Sequence, residues 1–216
     1  IIGLDGYKSG SNHPFALRKF VIGKPKDKTI TLTKRQKSLH KIGEDLHWNY
    51  TSEYIKEIKE LPNFGYFKTR QITKVSNILS NEECTLFDLE FSEGELIAKQ
   101  NVKVTMMYLE LKNDIPKFTL DKEGIFEYII HFAGFKDIDI ENHPDFSKRF
   151  YLSGKNEEKI REFFSDELIL FFESNKYYHI ESNKKGLLIF ENERLSGVKE
   201  IKALADFGLR LKQNIS

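Results

Sequence analysis

One cysteine, Cys84, stands in a chain of 216 residues, so no disulfide can close within it and no zinc site can be built on paired cysteines. A lone cysteine in an apolar run reads as a small core residue. Proline is nearly as scarce, at five residues, and tryptophan occurs once, as Trp48. No apolar run approaches the ~18 residues that a spanning helix needs. The chain also has no phosphate-binding glycine loop, no His-Glu-x-x-His pair, no Gly-x-Ser-x-Gly elbow and no repeat of fixed period. By motif, these absences set aside nucleotide hydrolases, zinc proteases, α/β hydrolases and solenoids.

Neither sign of charge is in excess overall, with 34 Lys and Arg against 33 Asp and Glu. The distribution is uneven. Residues 1–41 hold ten basic and two acidic residues, whereas 42–216 hold 24 basic and 31 acidic ones. A basic leader before an acidic body acts as an address more than as a fold signal. Lys19, Lys24, Lys26, Lys28, Lys34 and Arg35 form the candidate membrane-facing arm. Two readings stand for the opening "IIGL" before Asp5: the last turn of an upstream spanning helix, or the start of a solvated arm. Basic residues beside a spanning segment favour the cytoplasmic side and anionic headgroups.

What the chain has in quantity is aromatic side chains, 18 Phe and 9 Tyr, and rings in that number need a core. Residues 1–32 mix Gly, Pro, Ser and Lys without period and read as a linker. Thr33 then caps a helix over 34–46, with Leu39, Ile42 and Leu46 on one face, and a short helix is expected from Glu53 to Leu61, stopped by Pro62. From Gly65 to Leu111 the period changes to that of strands. "CTLFDLEF" and "VKVTMMYLEL" read as long adjacent strands of an antiparallel sheet.

Asp121 is placed to cap a helix running to about Gly134, Asn156 caps "EEKIREFF", and Ser165 caps "DELILFFES". "KYYHIES" and "LLIFEN" pair across "NKKG" as a hairpin, and a helix from Gly197 to Leu211 closes the chain. The expected class is therefore α+β: an antiparallel sheet with several packing helices and a C-terminal hairpin followed by a helix. Residues 33–216 are expected to be a single domain, with a seam between two subdomains near 112–120 as the variant of that reading.

The stretch "DIDIENHPDFSKRFYLSG" at 137–154 sets Asp137, Asp139, Glu141 and His143 at every second position. On a strand these four share one face, with Ile138 and Ile140 turned to the core, Pro144 closing the strand and Ser147 tying the turn. A metal site is the sharp reading. Alternate strand residues lie about 6.6 Å apart, so four in a line do not surround an ion, and pairing with Lys148, Arg149 or another basic segment is the favoured reading.

Together with "PKFTL" at 116–120 and "EEKIREFFSDEL" at 157–168, this stretch resembles the ordered signature of a bacterial family of membrane-tethered α+β domains to which no activity is assigned. That signature is Pro-x-Phe-x-Leu, Asp-Ile-Asp-Phe-Glu, Pro-x-Phe-Ser and Tyr-x-Leu-x-Gly. Phe118 and Leu120 match directly, and Ile140 stands where the family has Phe. The resemblance implies a tethered accessory domain over residues 35–213 and carries over no catalytic residues.

An enzymatic alternative lies in Asp88, Glu110 and Lys112, which have the order of an Asp…Glu-x-Lys metal-dependent nuclease. In that chemistry two carboxylates hold a divalent ion and the lysine positions the attacking water. His131, His143 and His179 have no nucleophile motif to join. Nucleic-acid binding would draw on the basic arm, but the acidic body disfavours it.

The leading expectation is thus an accessory or interaction domain without catalytic activity or cofactor, at the cytoplasmic face of a bacterial membrane. Its partner is a protein or a larger membrane assembly, and Trp48 is a candidate interface anchor.

Overall fold

The structure is a computed structural model that describes residues 31–52, 58–94, 99–122 and 137–215. Residues Leu32–Ser216 form one compact unit. Among the described residues, the helices are α1 (Lys34–Leu46), α2 (Pro144–Arg149), α3 (Glu157–Phe163), α4 (Asp166–Glu173) and α5 (Val198–Ile215). The strands are β1 (Asn49–Thr51), β2 (Gln71–Ser80), β3 (Cys84–Glu93), β4 (Gln100–Glu110), β5 (Thr119–Lys122), β6 (Phe150–Ser153), β7 (His179–Ser182) and β8 (Gly186–Phe190). They form one sheet of eight strands in the order β1-β2-β3-β4-β8-β7-β5-β6, with every neighbouring pair antiparallel. The class is α+β, as the grouping of strand and helix patterns predicts. β4 and β5, which flank residues 111–118, belong to the same sheet.

Local chemistry sets the helix ends. The Thr33 hydroxyl accepts from the Gln36 N–H while the Gln36 side chain accepts from the Thr33 N–H, a reciprocal capping box that satisfies two N-terminal donors of α1. Asn156 and Ser165 cap α3 and α4 through side-chain oxygens, as expected.

The sheet has two buried faces over its β3–β4–β8 centre, which is why these strands read as nearly continuous apolar runs. One face carries Leu86, Met107, Leu109, Leu187 and Ile189 and meets all five helices, through residues such as Leu39, Phe146, Ile160, Phe172 and Leu204. Trp48, expected as an interface anchor, is 9% exposed and belongs to this cluster. α5 lies so close to β4 that a Cβ on Gly208 would come within 2.5 Å of the Met107 sulfur, so a side chain there would have to displace the Met107 thioether. The opposite face carries Phe87, Leu89, Phe91, Met106 and Tyr108. It is covered by Leu61, Phe64 and Phe67 from two successive 3-10 turns, Leu61–Asn63 and Gly65–Phe67.

Three expectations change here. Residues 53–57 of the short helix expected before Pro62 lie outside the described residues, and Pro62 sits within a 3-10 turn rather than after a helix. The helix expected after Asp121 falls on residues 123–136, also outside them, and Asp121 is a β5 residue rather than a helix cap. The third is the strand period expected from Gly65, which β2 does not keep throughout. β2 contains two irregularities of register, one of them around Asn77, whose φ of 53° breaks the period-two alternation.

Candidate functional site

On the face that carries Phe87 and Phe91, the sheet turns polar as it passes to β7, β5 and β6. Register places His179 and Glu181 of β7, Thr119 and Asp121 of β5, and Ser153 of β6 on that face. They border a cleft of about 520 Å³, whose other walls include Tyr66, Arg70, Tyr177, Phe190 and Glu193. That volume is within the range of small-molecule sites, and most of the lining surface is apolar.

Each wall is held by a buried acid. Glu181, 8% exposed, accepts from the backbone N–H groups of Gly65 and Tyr66, the latter at 2.9 Å, and so ties the second 3-10 turn to β7. This bond stands the Tyr66 ring beside Phe190, at 4.9 Å between centroids. The Tyr66 hydroxyl donates to Glu193 at 2.6 Å, and the Arg70 guanidinium lies over the ring at 4.0 Å while donating to Glu93 and Glu193. Burial and the Glu193 charge both push the Tyr66 phenol well above its ordinary range, so it stays a donor.

At the other end, the Asp121 carboxylate receives three donors: the Tyr177 hydroxyl, the Lys122 backbone N–H at 2.8 Å and His179 Nδ1 at 2.9 Å. Burial first, and Asp121 second, raise the Tyr177 phenol far above its usual range. An ionised carboxylate only accepts, so Nδ1 of His179 carries the proton. Its other nitrogen, Nε2, is buried and has no hydrogen-bond partner among the described residues. The imidazole stacks against Phe190 at 4.5 Å and lies 5.8 Å from Tyr66.

The residues singled out in the sequence lie elsewhere. Asp88 is opposite Thr105 in the β3–β4 register, and Glu110 is five residues further along β4. An odd offset puts Glu110 on the opposite face of the sheet, about 17 Å along the strand, and Lys112 lies exposed beyond the strand end. The three do not meet, so the nuclease arrangement is not formed. Asp88 is instead 5% exposed and bound by Arg35 through two bonds of 2.5 and 2.6 Å, by Thr105 at 2.8 Å and by Asn77 at 2.8 Å. Arg35 is therefore a clamp between α1 and the sheet, not part of a membrane-facing arm. Lys34 is exposed on α1, while Lys19, Lys24, Lys26 and Lys28 lie outside the described residues.

The carboxylates of 137–141 do not line a strand face. Asp137 forms an isolated bridge with Ser153 and accepts from the Leu152 N–H, and residues 138–140 are irregular. Asp139 and Glu141 are exposed, and His143 Nε2 meets Asp166 at 2.9 Å. No group of three His, Cys, Asp or Glu side chains placed to hold a metal occurs among the described residues. The pairing expected with Lys148 and Arg149 is also replaced: Lys148 reaches Asp145, and Arg149 donates to the Glu173 carbonyl. Pro144 opens α2 rather than closing a strand. Ile138 and Ser147 behave as expected, the first buried and the second accepting from the Ile140 N–H at 2.8 Å.

Sequence reasoning passed over the cleft. The signal was present in "KYYHIES", where Tyr177, His179 and Glu181 recur at every second position like the acids of 137–141. Its partner Asp121 had been assigned to a helix cap.

No family model matches the chain, and no curated protein matches it. The fold is similar to that in the crystal structure of the mycobacterial trehalose monomycolate transport factor A, TtfA. The two share a TM-score of 0.56 and 13% sequence identity over 82% of this chain and 90% of that one. At this identity the likeness is one of fold. No described helix is long and apolar enough to cross a membrane.

Proposed function

We propose that this chain is a non-catalytic accessory domain of a membrane-associated assembly, and that it works by holding a small-molecule ligand in the cleft between Tyr66 and His179. The observation that carries the reading is the cleft itself. It is about 520 Å³ in volume, it has aromatic walls, and its buried acids are each engaged by protein donors. Asp121 and Glu181 are committed to holding walls in place and so are not free to serve as carboxylate acids or bases, which favours a receptacle. The fold likeness to a protein described as a transport factor supports the accessory role by analogy alone. The basic residues of 1–32, with Lys19, Lys24, Lys26 and Lys28 among them, would add attraction to anionic headgroups of about 1 kcal/mol per residue near the surface.

The test of the accessory role is recovery of partners by the tagged 216-residue chain from native membrane extract at low and high salt. A stoichiometric protein partner retained at high salt is expected. If proteins are held only at low salt, the interaction comes from the basic arm alone and the accessory reading fails.

A further inference from the structure

The geometry points to a neutral, hydroxyl-bearing amphiphile as the ligand of the cleft, with one hydroxyl donating to Nε2 of His179 and the apolar part lying along Tyr66, Tyr177 and Phe190. This inference rests on the cleft being a ligand site and names the chemistry it selects.

The argument starts from the proton on the imidazole. Asp121 Oδ2, 2.9 Å from Nδ1, fixes the tautomer with Nδ1 protonated, because a carboxylate that already receives the Tyr177 hydroxyl and the Lys122 N–H has only acceptor capacity to offer. In the neutral imidazole Nε2 is then a lone-pair acceptor. It is buried in a residue 8% exposed, with no partner among the described residues, and a buried acceptor left unmatched is costly. The group that satisfies it is a donor, and a hydroxyl is the neutral donor that amphiphilic ligands carry.

Charge decides against an anionic head. The sheet face that lines the cleft carries the carboxylates of Asp121 and Glu181, both nine-tenths buried or more. Of the cations that line the cleft, Arg70 is committed to Glu93 and Glu193, while Lys68, Lys117 and Lys155 are exposed, so that solvent and salt screen them. An anion drawn to the lysines would stop short of His179, whereas a neutral head meets no such field. Aromatic rings and a largely apolar lining suit the ring faces of a polyol or an alkyl chain. Nε2 exposes no surface, so binding there requires the Tyr66 ring to tilt aside and its bond to Glu193 to yield. Tyr66 is the partly exposed one of the two rings that flank the imidazole.

The experiment uses octyl β-glucoside below its micellar concentration, with octyl sulfate as the anionic probe of equal chain length. Both are titrated against the full chain by calorimetry. Long-range proton–nitrogen spectra of wild type read the His179 tautomer. Octyl glucoside is expected to bind one per chain and more tightly than octyl sulfate, with Nε2 unprotonated in the spectrum.

His179→Phe keeps an aromatic ring and removes the acceptor, and should weaken glucoside binding about tenfold. Asp121→Asn offers an amide donor to Nδ1 and moves the proton to Nε2. It should weaken glucoside binding to a similar degree with the imidazole still present, which a purely structural role for Asp121 would not do. A proton on Nε2 in wild type, glucoside affinity unchanged in both variants, or tighter binding of octyl sulfate overturns the inference while leaving the cleft a ligand site. Absence of binding by either amphiphile overturns the ligand-holding reading as well, and partner recovery from membranes remains a separate result.

Discussion

Replacing Arg35 by Ala tests whether this residue belongs to the core of the domain or to a solvated arm. Its guanidinium makes a bidentate contact with Asp88, donates to the Ser196 carbonyl at 2.9 Å and to the Thr105 hydroxyl at 2.9 Å, and its side chain is 27% exposed against 6% for Asp88. Breaking a buried pair by removing one partner costs about 3–5 kcal/mol, because the remaining charge is left uncompensated. Two features lower that figure. Arg35 is partly exposed, and Asp88 keeps the Asn77 and Thr105 donors in the variant. The expected loss is about 2–4 kcal/mol, a large fraction of a typical domain's total stability of about 5–15 kcal/mol. Urea unfolding followed by the fluorescence of Trp48, the one tryptophan and a buried one, reads the midpoint directly.

Asp88→Asn keeps one oxygen to accept from Asn77, can turn its amide donor to the Thr105 hydroxyl and lets the partly exposed Arg35 turn to solvent, so it should cost less, about 1–2 kcal/mol. Arg35→Ala combined with Asp88→Asn should be at least about 1 kcal/mol more stable than the sum of the single losses, because the two side chains are directly bonded. A loss below about 0.5 kcal/mol for Arg35→Ala, the range of ordinary surface substitutions, refutes the clamp and returns Arg35 to the basic arm.

Other outcomes follow from single residues. Burial pushes the Cys84 thiol up to about 12, so a thiol reagent at pH 8 should label it only as fast as the protein unfolds, and rapid labelling of the native chain would contradict its place between β3 and the helices. Glu200 is held down to about 2 from 4.5, chiefly by its bond to Arg194 and then by the Gly197 N–H. A depressed carboxyl contributes stability above its unfolded pKa and loses it as pH falls, so protection of the α5 N-terminus from hydrogen exchange should decline from about pH 4.5 toward pH 2, and Glu200→Gln should flatten that decline. Gly208→Ala should destabilise by about 1–3 kcal/mol despite alanine's better helix propensity, because the buried Met107 thioether would have to be displaced; a stabilised variant would show that it yields freely.

Much of the fold was legible because local signals agreed with it. Thr33, Asn156 and Ser165 each stand one residue before a helix, and the nearly continuous apolar runs of 84–91 and 102–111 mark two strands that pair over almost their whole lengths. β2 was harder, since the left-handed Asn77 breaks its alternation in order to bring an amide onto Asp88.

The site was not legible for a different reason. Two segments, 137–143 and 177–181, show the same alternation of polar residues, and sequence spacing cannot tell which has a partner across the sheet. Asp121 supplies that partner for His179 from a strand 58 residues away. For 137–143 the backbone leaves the sheet after one bridge, so its acids disperse to solvent and to local contacts. Likewise, Asp88 and Glu110 have nuclease-like order but an odd strand offset, which sets them on opposite faces.

The central claim is that the domain holds a molecule in its cleft without transforming it. Native mass spectrometry of the chain recovered from its own membranes, compared with His179→Phe prepared in the same way, tests this most directly. The account predicts one small molecule per chain, released unchanged after prolonged incubation and depleted in the variant. A chain that carries no small molecule, or one that converts it to a new product during incubation, would contradict the account.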